Sequence, residues 1–344
     1  MNILIIGGTG LISTAITREL VARGDRVTHF NRGQSAAQGV PGVRTIVGDR
    51  TDYATFERQM AEIGPWDCVM DMIGYKPEDG QSVVRAFRGR TDHVIFCSTV
   101  DVYTKPATSY PIREDAERRP RQEFPYAFDK AIIENTLLQA HARGDFPLTI
   151  IRPAYTYGEG RGMLSTFGGD RYLDRLRKGK PVVVHGDGTS LWVSCHRDDV
   201  AHAFVGAAGS ERAFGMAYNV TGEEWMPWNQ YHQIVAAAIG APPPTLVHIP
   251  TDLLLQAAPQ RAWITAENFQ FNNLVDTTAA RSAIGFRYTI PLATGVQRIV
   301  AWLDERQRIP NSDDDHFEDR LIAAWQQLGK RMVEEFETTQ GAAT

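Results

Sequence analysis

The sequence predicts an α/β protein organised around a doubly wound parallel sheet, with a smaller C-terminal α/β substrate domain. Two observations carry the first part of that expectation. Short apolar runs alternate with stretches of helical periodicity, and buried strands separated by helices pair in parallel, with helices on both faces of the sheet. The first of these runs also ends in glycines and leads straight into a helical pattern, which is the start of a strand, helix, strand unit. Residues 3–6 make the first strand, Ile12, Ile16, Leu20 and Val21 mark the first helix, and residues 26–30 make the second strand. Further strands are expected at residues 44–47, 68–72, 93–97 and 148–151.

Composition bounds what such a chain can do. With 344 residues and 43% hydrophobic content it can bury a full core. Its formal net charge of -5 gives no basic excess to draw it to phosphate backbones, so nucleic acid is not the expected partner. Cys68, Cys97 and Cys195 lie far apart in apolar runs. They read as buried thiols of a reducing cytoplasm, with no disulfide framework and no metal site. The opening apolar run is too short for a signal sequence or a membrane span, so a cytoplasmic protein is expected.

After Arg152-Pro153 the strict alternation loosens and glycines crowd residues 157–162. We therefore expect a dinucleotide-binding domain over residues 1–155 with part of 190–225, a mainly substrate-binding domain over 156–310, and a C-terminal helical extension over 311–344. Pro242-Pro243-Pro244 reads as a stiff connector, since consecutive prolines fit neither a helix nor a central strand. In the tail, Leu321, Trp325, Leu328, Met332 and Phe336 recur at helical spacing. This is a one-faced helix for the protein body or a partner subunit, and its mainly acidic polar face argues against a membrane.

Gly7-Gly8-Thr9-Gly10 lies between the first strand and first helix. There the unpaired backbone N–H groups, through Leu11 and Ile12, and the helix dipole can hold a pyrophosphate. A plain turn is the competing reading, and Ser13 stands where a third glycine is usual. Asn31-Arg32 follows the second strand where an acid would bind the ribose hydroxyls of NAD; a neutral Asn beside a guanidinium favours NADP, against the alternative of a solvated turn. Asp49 and Arg50 after the third strand, and Met72, Ile73 and Gly74 after the fourth, sit where adenine and nicotinamide ribose would lie, or are caps and turns. Tyr126 and Lys130 are four apart on one helical face. An ammonium beside a phenol can lower its pKa toward that of a usable base, although such pairs also occur on surfaces by chance. Thr99, expected at the end of the fifth strand, adds a hydroxyl able to bond the same substrate oxygen.

Taken together, these segments resemble the extended short-chain dehydrogenase/reductases, the NAD-dependent epimerase/dehydratase group, whose nucleotide domain is a Rossmann fold. The likeness is carried by Gly7-Gly8-Thr9-Gly10, Ser98-Thr99-Val100-Asp101-Val102-Tyr103, residues 126–130, Arg152-Pro153-Ala154-Tyr155-Thr156-Tyr157-Gly158, Gly186-Asp187-Gly188 and His196-Arg197-Asp198-Asp199. The resemblance implies a bound NAD(P) and chemistry by Thr99, Tyr126 and Lys130. It counts Pro153 and Tyr155 with the cofactor contacts, and Asp101, Tyr103, Arg161, His185 and Trp192 with the substrate contacts. It also implies a homodimer through helices beginning near Asp79 and Tyr126.

Two departures narrow the reaction that the resemblance implies. The dehydratases of the group carry Asp-Glu after the catalytic Thr, whereas Val100-Asp101 stands here, which disfavours dehydration. Trp192 stands where an Arg commonly meets the pyrophosphate of a nucleotide sugar. An indole there suits a sugar ring or apolar group, or simply packs in the core. The expected function is NAD(P)-dependent oxidation, reduction or epimerisation at a secondary alcohol or ketone of a sugar-like or other small carbonyl compound, with NADP favoured. The rival is a nucleotide-binding, RNA-associated scaffold like the chloroplast stem-loop-binding proteins of the same group, which often lack the Tyr and Lys pair.

Overall fold

The computed structural model describes residues 1–34 and 40–341. The last three residues of the expected tail, 342–344, lie outside them. In chain order the elements begin β1 Asn2–Ile6, α1 Leu11–Arg23, β2 Arg26–Asn31, β3 Arg44–Val47, α2 Tyr53–Glu62, β4 Cys68–Asp71, α3 Pro77–Phe87, β5 Val94–Cys97, α4 Pro125–Ala142, β6 Leu148–Pro153 and β7 Tyr155–Tyr157. They continue α5 Arg171–Arg177, β8 Val182–His185, β9 Leu191–Trp192, β10 Ser194–His196, α6 Arg197–Ala207, β11 Met216–Val220, β12 Met226–Pro227 and α7 Trp228–Ala238. Last come β13 Leu246–Ile249, α8 Thr251–Ala257, α9 Thr278–Ile284, α10 Leu292–Glu305 and α11 Phe317–Gly341.

The chain divides into two compact units. The first comprises residues 1–161, 193–225 and 271–295. Residues 271–295, which the sequence reading assigned to the second domain, thus return to the first unit. Its sheet has seven strands in the order β11-β6-β5-β4-β1-β2-β3, all parallel. Strand alternation sorts its core into two layers. Ile3, Ile5, Met70 and Ile95 point to one face with Ile16, Leu20, Phe204 and Ile284 of α1, α6 and α9. Leu4, Ile6, Val69 and Phe96 point to the other, with Phe56, Val83 and Ile133 of α2, α3 and α4. This two-sided burial explains why the strands read as continuous apolar runs.

The second unit comprises residues 162–192, 226–270 and 296–344. Here β8 and β13 pair in parallel and β9 and β12 antiparallel. Val183, Ile249, Leu254, Ala262 and Ile322 form one core cluster. Beside Trp228, the rings of Trp192 and Phe269 each lie 4.8 Å away by centroid and that of Tyr231 5.2 Å. The triple proline falls in the irregular stretch before β13. Among the described residues no helix is long and apolar enough to cross a membrane, and no group of three or more His, Cys, Asp or Glu is placed to hold a metal ion.

Candidate active site

The first unit gathers most of the expected site residues at the carboxyl ends of β1, β2, β4, β5 and β6, where open α/β sheets bind their ligands. Gly7 takes a positive φ of 86°. A Cβ on Gly8 would meet the His29 ring at 2.2 Å, so only a glycine lets the backbone run flush against β2. His29 is held there by a 2.8 Å hydrogen bond between its Nε2 and Thr17 Oγ1. Gly10 caps α1, and having no side chain it makes no cap bond to the first-turn amides of the helix. Ser13 is buried against this turn. A run of glycines at a helix start, where the backbone can approach a ligand closely, fits a pyrophosphate.

The adenosine end is less open. Asn31 spends its Oδ1 on the Gly33 amide at 2.9 Å, while Arg32 stands exposed. Asp49 is exposed and accepts from the Thr51 amide and hydroxyl at 2.8 and 2.7 Å. Those two bonds hold its carboxyl below the usual range, with a smaller contribution from the charge of Arg32. Arg50 corrects the sequence reading. It is 4% exposed and points inward, bonding Asp71 Oδ2 at 3.0 Å and the Asp79 carbonyl at 2.7 Å. A guanidinium neutralising two buried carboxylates is a structural clamp and is not offered to a ligand. Asp79 in turn accepts from the Tyr75 and Lys76 amides at 2.8 and 2.9 Å, which sets the start of α3. Between β4 and α3, Met72 and Gly74 are buried and Ile73 half-buried. A Cβ on Gly74 would crowd Phe96 at 2.9 Å.

The reacting groups come from the end of β5 and the first turns of α4. Thr99 is extended and accepts from the Asp101 amide at 3.2 Å, and its side chain acts to lower the pKa of the Tyr126 phenol. Pro125 opens α4 with its φ already helical, which places Tyr126 in the first turn and Lys130 one turn later. Lys130 is 1% exposed. Its Nζ donates to the Cys97 carbonyl at 2.5 Å and lies 4.7, 4.9 and 5.9 Å from the ring centroids of Phe96, Tyr75 and Tyr126. Burial lowers its pKa from the ordinary lysine value. Tyr126 stays 40% exposed. Desolvation, with Cys97, Asp101 and Tyr75 nearby, pushes its phenol well above the usual range against the opposing effect of Thr99.

Several expected contacts are taken up within the protein. Asp101 is ion-paired with Lys105 at 2.7 Å. Tyr103 is 1% exposed, donating to Asn219 Oδ1 at 2.6 Å and accepting from Arg152 Nη1 at 2.7 Å, so it stands in a buried network and not on an open surface. Pro153 is buried at the end of β6, and the exposed Arg161 stacks 5.1 Å from the Tyr155 ring. In the second unit His185 and Trp192 are 2% and 3% exposed. His185 is bonded to the Phe269 carbonyl at 3.0 Å, and the Trp192 ring is covered by Trp228 and Phe269. The core alternative for Trp192, and not the sugar-stacking one, describes its place.

Sequence reasoning missed two features of the first unit. Glu134, one turn after Lys130, receives Arg152 at 2.9 and 2.8 Å, and also Arg118. The network ties α4 to the end of β6 and to the segment before α4. A glutamate at the helical repeat after Lys130 and an arginine in an apolar strand were the available signals. Tyr75, 49% exposed, lies 6.4 Å from the Tyr126 ring and had no motif to mark it.

Residues 3–221 match the profile described as the NAD dependent epimerase/dehydratase family. The chain is 29% identical over 243 residues to 2'-dehydrokanamycin reductase of Streptomyces kanamyceticus, spanning 70% of this chain and 68% of the relative. It is 30% identical over 261 residues to chloroplast stem-loop binding protein of 41 kDa b of Arabidopsis thaliana, spanning 72% of this chain and 65%, just under two thirds, of that protein. In fold it is similar to an epimerase from Methanothermobacter thermautotrophicus, with a TM-score of 0.72 over 89% of this chain and 92% of that one, at 17% identity.

Proposed function

The chain belongs to the NAD dependent epimerase/dehydratase family, and from that premise we propose that it is an NAD(P)-dependent reductase, dehydrogenase or epimerase of a secondary alcohol or ketone in a sugar-like or other small carbonyl compound. The observation that carries this reading is the grouping of Thr99, Tyr126 and Lys130 at one edge of the sheet, with Lys130 Nζ 5.9 Å from the Tyr126 ring centroid and Thr99 acting on its phenol. Gly7, Thr9, Gly10, Leu11 and Ile12 would hold the pyrophosphate, and Asn31, Arg32 and Asp49 the adenosine end. Met72, Ile73, Gly74, Lys130, Pro153 and Tyr155 would hold the nicotinamide end. A bound nicotinamide supplies the two-electron chemistry.

Tyr126 exchanges the proton of the reacting oxygen, and Thr99 holds that same oxygen. The phenol would donate its proton to the carbonyl oxygen in reduction and take it back in oxidation. With Lys105 neutralising Asp101, no second free acid follows Thr99, which speaks against dehydration. The exposed Arg32 supports a preference for NADP over NAD. The relative named 2'-dehydrokanamycin reductase supports a small unphosphorylated substrate. The relative named as a stem-loop binding protein supports an RNA-associated reading, but the net charge of -5 and the intact Tyr126 and Lys130 favour the enzyme.

The test follows nicotinamide absorbance at 340 nm with purified protein, each cofactor and a panel of keto-sugars and small ketones. Consumption of cofactor identifies a reductase, and product without consumption an epimerase. Tyr126→Phe is expected to keep the fold and cofactor affinity while losing turnover by about 10²-fold or more. Full activity in that variant overturns the assignment.

A further inference from the structure

We propose that the second half of α11 is a self-association surface that pairs antiparallel with the same helix of a second copy of this chain. The helix spans Phe317–Gly341. Its first half is anchored in its own unit, where Ile322 is buried and Leu321 and Trp325 pack on Val183, Ile249, Leu254 and Ala262. The apolar stripe then continues beyond that anchor. Leu328, Met332, Val333 and Phe336 are 52%, 59%, 52% and 65% exposed. Contiguous large apolar side chains at this exposure mark an interaction surface.

The flanks of the stripe say what covers it. At about 100° per residue, Leu328 and Phe336 lie about 40° to either side of Met332. Arg331 and Glu335 border the stripe on one side, at about 100° and 60°, and Val333 and Gly329 border it on the other at similar angles. A two-fold axis at Met332, perpendicular to the plane of two antiparallel helices, sets residues above Met332 in one copy opposite residues below it in the other, and each flank meets its own counterpart. Leu328 then meets Phe336 of the second copy, and Met332 meets Met332. Arg331 stands about 3 Å along the axis from Glu335 of the second copy, opposite in charge. Val333 faces Gly329 of the second copy, where the missing side chain leaves room for it.

The helix is therefore complementary to itself in shape and charge when antiparallel. A parallel pair would instead set the charged flank against Val333 and Gly329. Glu334, Glu335 and Glu337 disfavour an anionic lipid surface as the occupant. One helix crossing covers less than the ~800 Å² per partner of a standard interface, so the association is expected to depend on protein concentration.

Cysteine crosslinking of the full-length protein tests this, because Cys68, Cys97 and Cys195 are all buried and an introduced surface thiol is the accessible one. Met332→Cys, on the axis, is expected to form a disulfide-linked dimer under mild oxidation with copper phenanthroline. Lys330→Cys, about 160° around the helix, is expected to stay monomeric on a denaturing gel. In the Met332→Cys background, Arg331→Glu should lower the dimer yield by about fivefold or more through like-charge repulsion, and adding Glu335→Arg should restore it. Equal crosslinking at positions 330 and 332, or no recovery in the double charge exchange, overturns the antiparallel pairing.

Discussion

Tyr126 and Tyr75 in the first unit and Trp192, Trp228, His185 and His232 in the second are placed in opposite ways. In the first, Tyr126 and Tyr75 keep 40% and 49% of their surface open, and the groups around them are supplied by strand ends and a helix start. In the second, Trp192, Trp228, His185 and His232 are all 3% exposed or less and are consumed by the unit's own core. Conspicuous residues therefore mean chemistry only where the backbone brings them to an edge. The same residue types in a unit without a large sheet to bury them become the core themselves.

The largest expected effect that separates the two roles is on stability. Trp192→Ala removes an indole packed between Trp228 and Phe269 and should cost about 3–5 kcal/mol, read by denaturant unfolding, while leaving cofactor affinity unchanged. An unchanged stability with a raised KM would instead put the indole in the substrate site. In the first unit, Arg32→Ala should weaken NADP by roughly 1.5–3 kcal/mol with little effect on NAD, by calorimetry. Equal losses for both cofactors, or a native enzyme that prefers NAD, would remove Arg32 from the cofactor site.

Buried histidines give a pH-dependent effect shared by both units. Burial pushes His93 and His185 down to about 4, and His232 to about 3, from the ordinary 6.5. Below pH 6.5 the unfolded chain takes up protons that the folded one refuses. Stability should therefore fall as pH drops from 6.5 toward 4, by about 1.4 kcal/mol per pH unit for each such histidine. Melting temperatures across pH 7 to 4 check this, and His93→Gln or His185→Gln should flatten the slope. The smallest effect expected is at Tyr75, where Tyr75→Ala should raise KM by the ~0.5–1.5 kcal/mol of one lost ring contact while leaving kcat near the native value. A loss of kcat alone would place Tyr75 with the reacting groups.

Much of the first unit was readable from sequence because its elements carry their own signals. Runs buried on both faces, glycines after β1 and the four-residue spacing of Tyr126 and Lys130 are all local patterns that the sheet then aligns. What could not be read depends on distant partners. Arg50 looked like a ligand contact beside Asp49, but its fate is set by Asp71 and Asp79, from β4 and α3. Tyr103 was claimed by Arg152 and Asn219, far along the chain. Trp192 lies in a two-residue strand whose packing is decided by Trp228 and Phe269, and no periodicity in so short an element shows which way its side chain turns.

The chain's repeated return to its first unit bears on how the protein is made. At the edge of the sheet β11 pairs with β6 over Met216–Val220, and these residues leave the ribosome only after residues 162–192 of the other unit. Until then Leu148–Pro153, paired with β5 on one side, presents its outer edge unpaired, the kind of edge that recruits other chains. Translation order thus makes the nascent chain most prone to aggregation midway through synthesis, and a gene fragment cut after residue 161 encodes an open sheet and not a domain.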